Sequence, residues 1–241
     1  MLKKGISHIE VILAFVIFIS AVVFTLFFFQ PEKGMESNVV LQLDDILSEV
    51  QKNTSTDVTE LGIKLNGDYQ SLSVTLPNYP KMESNASAFD NMGNILPSYN
   101  IQNGNSYIAC AASSNASSLP SFFYERISPD ITLNNANSGI CSSSNDTYYQ
   151  IASVSDRKIV SELKLLEINK TYYQNYILLK NTFGIGRNQD FSFEIILPDG
   201  NIIGAYSTIP SNVEIFAINK EIEVLRQDGK IQFAEIRMRI W

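Results

Sequence analysis

From Val11 to Phe29 the chain carries no charge, and only Ser20 and Thr25 bear polar side-chain atoms. With Ile6 as its start this apolar run has 24 residues, about 36 Å as an α-helix at 1.5 Å per residue. That exceeds the roughly 30 Å hydrocarbon core of a bilayer, so the pattern predicts a membrane-spanning helix. Pro31 and Gly34 then interrupt it, since proline removes a donor and clashes one turn back. Helical spacing resumes with Val39, Val40, Leu43, Ile46, Leu47 and Val50, while Asp44, Asp45 and Glu49 lie opposite.

Beyond residue 60 the period shortens. Ile63–Leu65 and Ser71–Leu76 flank Asn66-Gly67-Asp68, which predicts a hairpin. Residues 77–106 show no clear period and are read as a long loop with one helical turn. Ser106–Ala112, Ser121–Ile127 and Tyr148–Val154 read as strands, whereas 158–168 fits either a helix or a strand. Asn169 is the expected N-cap of a helix whose face carries Tyr172, Tyr176, Leu179 and Phe183, closed by Gly184. Phe191, Phe193 and Ile195 alternate with polar residues, and Pro198-Asp199-Gly200 turns the chain back. A last pair, Val213–Leu225 and Lys230–Ile240, is joined at Asp228-Gly229. Its apolar phase slips between Phe233 and Ile236, so a β-bulge near Ala234-Glu235 is expected.

The start of the chain narrows the function. Lys3-Lys4-Gly5-Ile6-Ser7-His8-Ile9-Glu10 resembles the prepilin signal of type IV pilins and their archaeal relatives, the class III signal peptides. The resemblance covers the first 30 residues or so. It implies that a prepilin peptidase cuts after Gly5, making Ile6 the first mature residue and Glu10 the fifth, where the family typically has Glu. It implies too that Glu10 meets the N-terminal amine of a neighbouring subunit and so sets the stagger of a filament. The chain departs from bacterial pilins in beginning its mature part with Ile6 and in carrying His8. Lys3 and Lys4 agree with a cytoplasmic leader by the positive-inside rule.

The expected class is therefore α+β, with an N-terminal transmembrane helix of pilin type before a β-rich extracellular domain built of antiparallel hairpins and one or two helices. The expected boundaries are leader 1–5, assembly helix 6–30, amphipathic stalk 31–60 and extracellular domain 61–241. Expected partners are the membrane, the prepilin peptidase and other pilin-like subunits. The chain would serve as a structural, minor subunit of a filament or of an adhesion or secretion apparatus. A single-pass anchored binding protein that never polymerises is the alternative.

Composition limits the chemistry. The formal charge is −7, and −9 once Lys3 and Lys4 are removed, which argues against nucleic acid as a partner. Cys110 and Cys141 suggest one disulfide in an exported domain, closing a loop of about 30 residues, or else two buried thiols. Asn53, Asn85, Asn115, Asn145 and Asn169 open Asn-x-Ser/Thr sequons, each a possible N-glycosylation site. The single histidine, His8, precedes the apolar run, so no histidine-dependent triad or common zinc site is expected beyond it. No catalytic residue, metal ligand or cofactor is read from the sequence, and Gly184-Ile185-Gly186 reads as a helix end and turn. The expectation is a protein that is not an enzyme.

Overall fold

The computed structural model describes residues 4–28, 33–77, 84–103, 106–113, 118–132 and 147–241. It divides into two compact units, Met1–Gln42 and Leu43–Trp241. In the first lie helix α1 (Lys4–Phe28) and the beginning of α2 (Lys33–Thr54); Pro31 lies outside the described residues. Gly34 sits in the first turn of α2, where the backbone N–H groups have no partner within the helix in any case.

In chain order the second unit continues through β1 (Ser55–Leu65), β2 (Ser71–Pro77), β3 (Asn85–Asp90), β4 (Ile95–Leu96), β5 (Ser98–Asn103) and β6 (Ser106–Ala112). Next come β7 (Phe122–Ser128), β8 (Tyr149–Ser161), α3 (Glu162–Gln174) and α4 (Tyr176–Thr182). The chain ends in β9 (Phe191–Ile196), β10 (Ile202–Ala205), β11 (Phe216–Leu225) and β12 (Ile231–Ile240). Nine strands form one sheet in the order β10-β9-β12-β11-β8-β1-β7-β3-β4, and β2-β6-β5 form a second.

The expected α+β class is corrected by this count: the described residues hold twelve strands against four helices, and the fold is mostly β. Much of the difference lies in 77–106, read as loop yet holding β3, β4 and β5. The buried positions of β3 are the consecutive Ala86, Ser87, Ala88 and Phe89, three of them small, so there is almost no hydrophobic alternation to detect.

The stretch 31–60, read as stalk, is helix only to Thr54, and Ser55–Glu60 already belong to β1. The hairpin expected across Asn66-Gly67-Asp68 does not form either. Both edges of β1 are taken, by β7 and β8, so the chain crosses to the second sheet, where β2 pairs with β6. Asn66 marks the crossing: its backbone N–H donates to the Tyr148 carbonyl at 3.0 Å, and its Nδ2 to the Thr147 carbonyl at 2.9 Å.

Three cores result. The first lies between Leu43, Ile46, Leu47 and Val50 of α2, the helices α3 and α4, and the inner face of β9, β12 and β11. In α2 the apolar stripe read from sequence is thus the buried face from Leu43 onward. The capping of α3 and α4 differs from expectation. Ser161 is the N-cap of α3, its Oγ accepting from the Lys164 N–H at 3.4 Å, and Asn175 caps α4. Asn169 lies inside α3.

The second core lies between the two sheets, with Leu61, Ile63, Ala88, Phe123 and Ile127 on one side and Leu72, Val74 and Ala111 on the other. A third, smaller core holds Val58, Ile131, Ile159 and Leu225, with Ile231 against it. This third core removes the need for the expected bulge. The β11–β12 register is unbroken from Phe216↔Ile240 to Leu225↔Ile231. Ala234, Ile236, Met238 and Ile240 face the first core, while Ile231 in the opposite phase packs on the third. A phase slip in sequence was two apolar faces of one regular strand.

Candidate functional site

The residues of the prepilin-like motif fall at the start of α1. Lys4 is its first residue, so the Gly5–Ile6 bond lies in the first turn, where the leading N–H groups have no partner in the helix. The side chains of Gly5, Ile6 and His8 lie outside the described residues.

From Glu10 to Phe24 every side chain of α1 is exposed. Val11, Phe15, Phe18 and Phe24 are each more than 60 % exposed. Successive exposed positions turn by about 100°, so the apolar surface covers the whole circumference instead of one stripe. The one polar hydroxyl within it is used locally: Ser20 Oγ donates to the Val16 carbonyl at 2.7 Å. Glu10 is the only ionisable group on this stretch, and it too is exposed.

The expectation of a membrane-spanning helix is corrected here. Among the described residues no helix is long and apolar enough to cross a membrane. The membrane anchor, and the cytoplasmic and extracellular placement that depended on it, are accordingly not supported.

The remaining expected sites are scattered. Cys110 is buried in β6 and is not a free thiol, whereas Cys141 lies outside the described residues. The expected bridge between the two therefore falls partly outside the described residues. Of the sequons, Asn115 and Asn145 lie outside the described residues. Asn53 is exposed at the end of α2, its Nδ2 donating to the Glu49 carbonyl at 2.7 Å and to Glu49 Oε1 at 3.0 Å. The amide of Asn85 is engaged inward, Nδ2 donating to the Ile131 carbonyl at 2.6 Å. Asn169 turns its Oδ1 into the protein, where it is buried without a hydrogen bond. Of the three, Asn53 alone is an exposed residue.

Among the described residues no group of three or more His, Cys, Asp or Glu stands together as a metal would require. Two polar clusters do form, and both hold the fold together. Arg226 Nε donates to Glu162 Oε2 at 3.0 Å, and its Nη1 donates to Asp199 Oδ2 at 3.0 Å, tying α3 and the β9–β10 turn to the end of β11. The bond from the Asn201 N–H and the Arg226 guanidinium hold the Asp199 carboxyl below the usual range. On α3 and α4, Tyr172 donates to the Phe191 carbonyl at 2.6 Å, and burial pushes its phenol up to about 12.

One residue of unusual environment was not singled out by the sequence reading. Glu125, in the middle of β7, is 0 % exposed, and neither carboxyl oxygen has a hydrogen-bond partner. Burial alone pushes its carboxyl up to about 8. The signal was present in the sequence, because Glu125 is in phase with Phe123 and Ile127 on a strand whose other phase carries Arg126.

No protein-family model, curated protein or solved structure matches this chain.

Proposed function

We propose that the chain is a structural subunit of a type IV pilin-like filament, built by packing α1 against the α1 helices of other copies. The observation that carries this reading is the exposure of apolar side chains around the full circumference of α1. A single partner surface covers one face of a helix; several neighbours are needed to cover all of it. Each large apolar side chain so buried contributes about 1.5–3 kcal/mol. Across Val11 to Phe24 that exceeds the several kcal/mol of translational and rotational freedom lost on association.

Glu10 fits the same account. A carboxylate inside a bundle of apolar helices must be paired, and the resemblance to prepilins supplies the partner, the α-amine of Ile6 in a neighbouring copy after cleavage behind Gly5. Such a pair is worth more as a register mark than as stability, because only one axial stagger satisfies both charges. The second unit would then be the part each copy displays.

The test is incorporation. Tagged Glu10→Ala protein, made alongside the wild-type chain, is expected to accumulate and fold but to be left out of filaments. Filaments that take up the variant as readily as the wild-type chain would count against the proposal.

A further inference from the structure

The centre of the second core holds a group that a core does not ordinarily tolerate. Phe123, Glu125 and Ile127 point from β7 to the side covered by the second sheet. The register sets Glu125 opposite Leu61 of β1 and Ala88 of β3. Around it the cluster consists of Leu61, Ile63, Ala88, Phe123 and Ile127 below, with Leu72, Val74 and Ala111 above. The carboxyl is closed from water, and neither oxygen is hydrogen-bonded.

Among the described residues nothing near it offers a compensating charge. The covering strands β2, β5 and β6 contain no Asp, Glu, Lys, Arg or His; their titratable residues are Tyr99 and Tyr107, since Cys110 is not a free thiol. Tyr149 of β8 faces the same core, and its hydroxyl accepts from the Thr75 N–H at 3.1 Å, while Tyr69 packs at its margin. The charged residues in this phase of the large sheet stand away from it. Asp90 ends β3 and accepts from Met92 and Asn94, Asp156 of β8 accepts from Thr59, and Asp57 and Lys158 pair with one another in solvent. Arg126 is on the opposite face, bonded to Glu60. An ionised Glu125 in this seam would stand alone.

We infer that Glu125 is a proton-operated latch between the two sheets: with its proton on, the three-stranded sheet stays seated, and with the proton lost the seam opens to let water reach the carboxylate. A neutral carboxylic acid without partners costs a few kcal/mol to bury, an isolated carboxylate far more. Release of the covering sheet is the cheapest way to hydrate it, since that sheet is bound to the large one by an apolar face with a few hydrogen bonds, Ala88 N–H to Ser98 Oγ and Thr75 N–H to the Tyr149 hydroxyl among them. Burial raises the carboxyl to about 8 from its ordinary 4.5. The opened form therefore binds fewer protons than the closed form throughout that interval. The latch is fully set below about 4.5, loosens as pH rises, and has lost its proton-dependent hold by about 8.

Two measurements on the full chain decide it. Amide exchange, corrected for intrinsic rates, is followed from pH 5 to 9 in the wild-type chain and in Glu125→Gln, which keeps the shape without the charge. The expected result is an opening constant for β2 and β6 that rises about tenfold per pH unit and levels off near pH 8 in the wild type. In Glu125→Gln it is flat, and amides of β9 and β12 are flat in both. The carbon chemical shift of the Glu125 carboxyl, read in the wild-type chain, is expected to titrate with its midpoint near 8. Identical exchange profiles in the two proteins, an opening spread evenly over all strands, or a midpoint between 4 and 5 would each overturn the inference.

Discussion

Ser87 Oγ donates to the backbone carbonyl of Asp228 at 2.8 Å, joining residues 141 positions apart in the chain. The contact seats the β11–β12 turn on the outer face of β3. Its neighbours reinforce it: Arg126 Nη1 donates to the Gly229 carbonyl at 3.2 Å, and the Thr132 N–H to the Gln227 carbonyl at 2.8 Å. Strands far apart in the sheet order are thus tied through one tight turn.

That turn predicts which glycine is indispensable. Gly229 has φ +87°, and a Cβ added there would stand 2.6 Å from Ser87 Cβ. Gly93 has nearly the same backbone, φ +83°, with open space around it. Gly229→Ala is expected to destabilise by about 2–4 kcal/mol, combining backbone strain with the clash, and Gly93→Ala by about 1 kcal/mol. Urea denaturation midpoints of the two variants, measured side by side, check the ordering.

Arg126 binds in a way lysine cannot copy. Its Nε donates to Glu60 Oε2 at 2.5 Å while its guanidinium lies 4.6 Å from the centre of the Phe89 ring. Arg126→Lys loses the fork and the stacking and is expected to cost about 1–2 kcal/mol despite keeping the charge. The same exchange at Arg157, whose partner Glu223 is about as exposed as itself, is expected to cost under about 0.5 kcal/mol. Thermal unfolding of both variants makes the comparison.

Tyr172 joins the helices to the sheet through its bond to the Phe191 carbonyl. Tyr172→Phe leaves that carbonyl buried without its donor and is expected to cost about 1–2 kcal/mol. The folded phenol titrates about two units above its ordinary 10, so its contribution is complete below pH 10 and is lost as pH rises through about 12. Ultraviolet titration of tyrosinate should accordingly show one late-ionising phenol fewer in Tyr172→Phe than in the wild-type protein, with Tyr176, also raised by burial, remaining in both.

Processing gives a prediction independent of stability. If the prepilin-like motif acts as it reads, the mature chain begins at Ile6, and Gly5→Val leaves residues 1–5 attached. Intact mass of the protein from its native source distinguishes the two forms directly.

Parts of this fold were legible because single residues carried strong preferences. Asp228-Gly229 marked a two-strand turn, and Gly229 adopts the positive φ that such a turn needs. Leu43 to Val50 announced a buried helix face, and Phe191, Phe193 and Ile195 a buried strand face. Where preference and pairing parted company the reading failed. Asn66-Gly67-Asp68 marks a turn, yet a turn does not say which strands pair across it, and β7 and β8 claim both edges of β1.

Small side chains hid β3, and a regular strand serving two cores looked irregular in β12. The proposed assembly motif, Gly5-Ile6 and Glu10, is a pattern along the chain and is read from the sequence alone. Glu125 showed only as a charge in phase with Phe123 and Ile127, because what closes over it is a second sheet whose position no local pattern encodes.

The account rests on α1 being an assembly element, and the most direct measurement is electron microscopy of the full-length processed chain beside a Phe15→Asp, Phe18→Asp double variant. Both substituted positions are exposed, so the fold of Leu43–Trp241 should be unchanged. The account predicts filaments from the wild-type chain and dispersed particles from the variant. Dispersed wild-type particles, or filaments from both proteins, would contradict it.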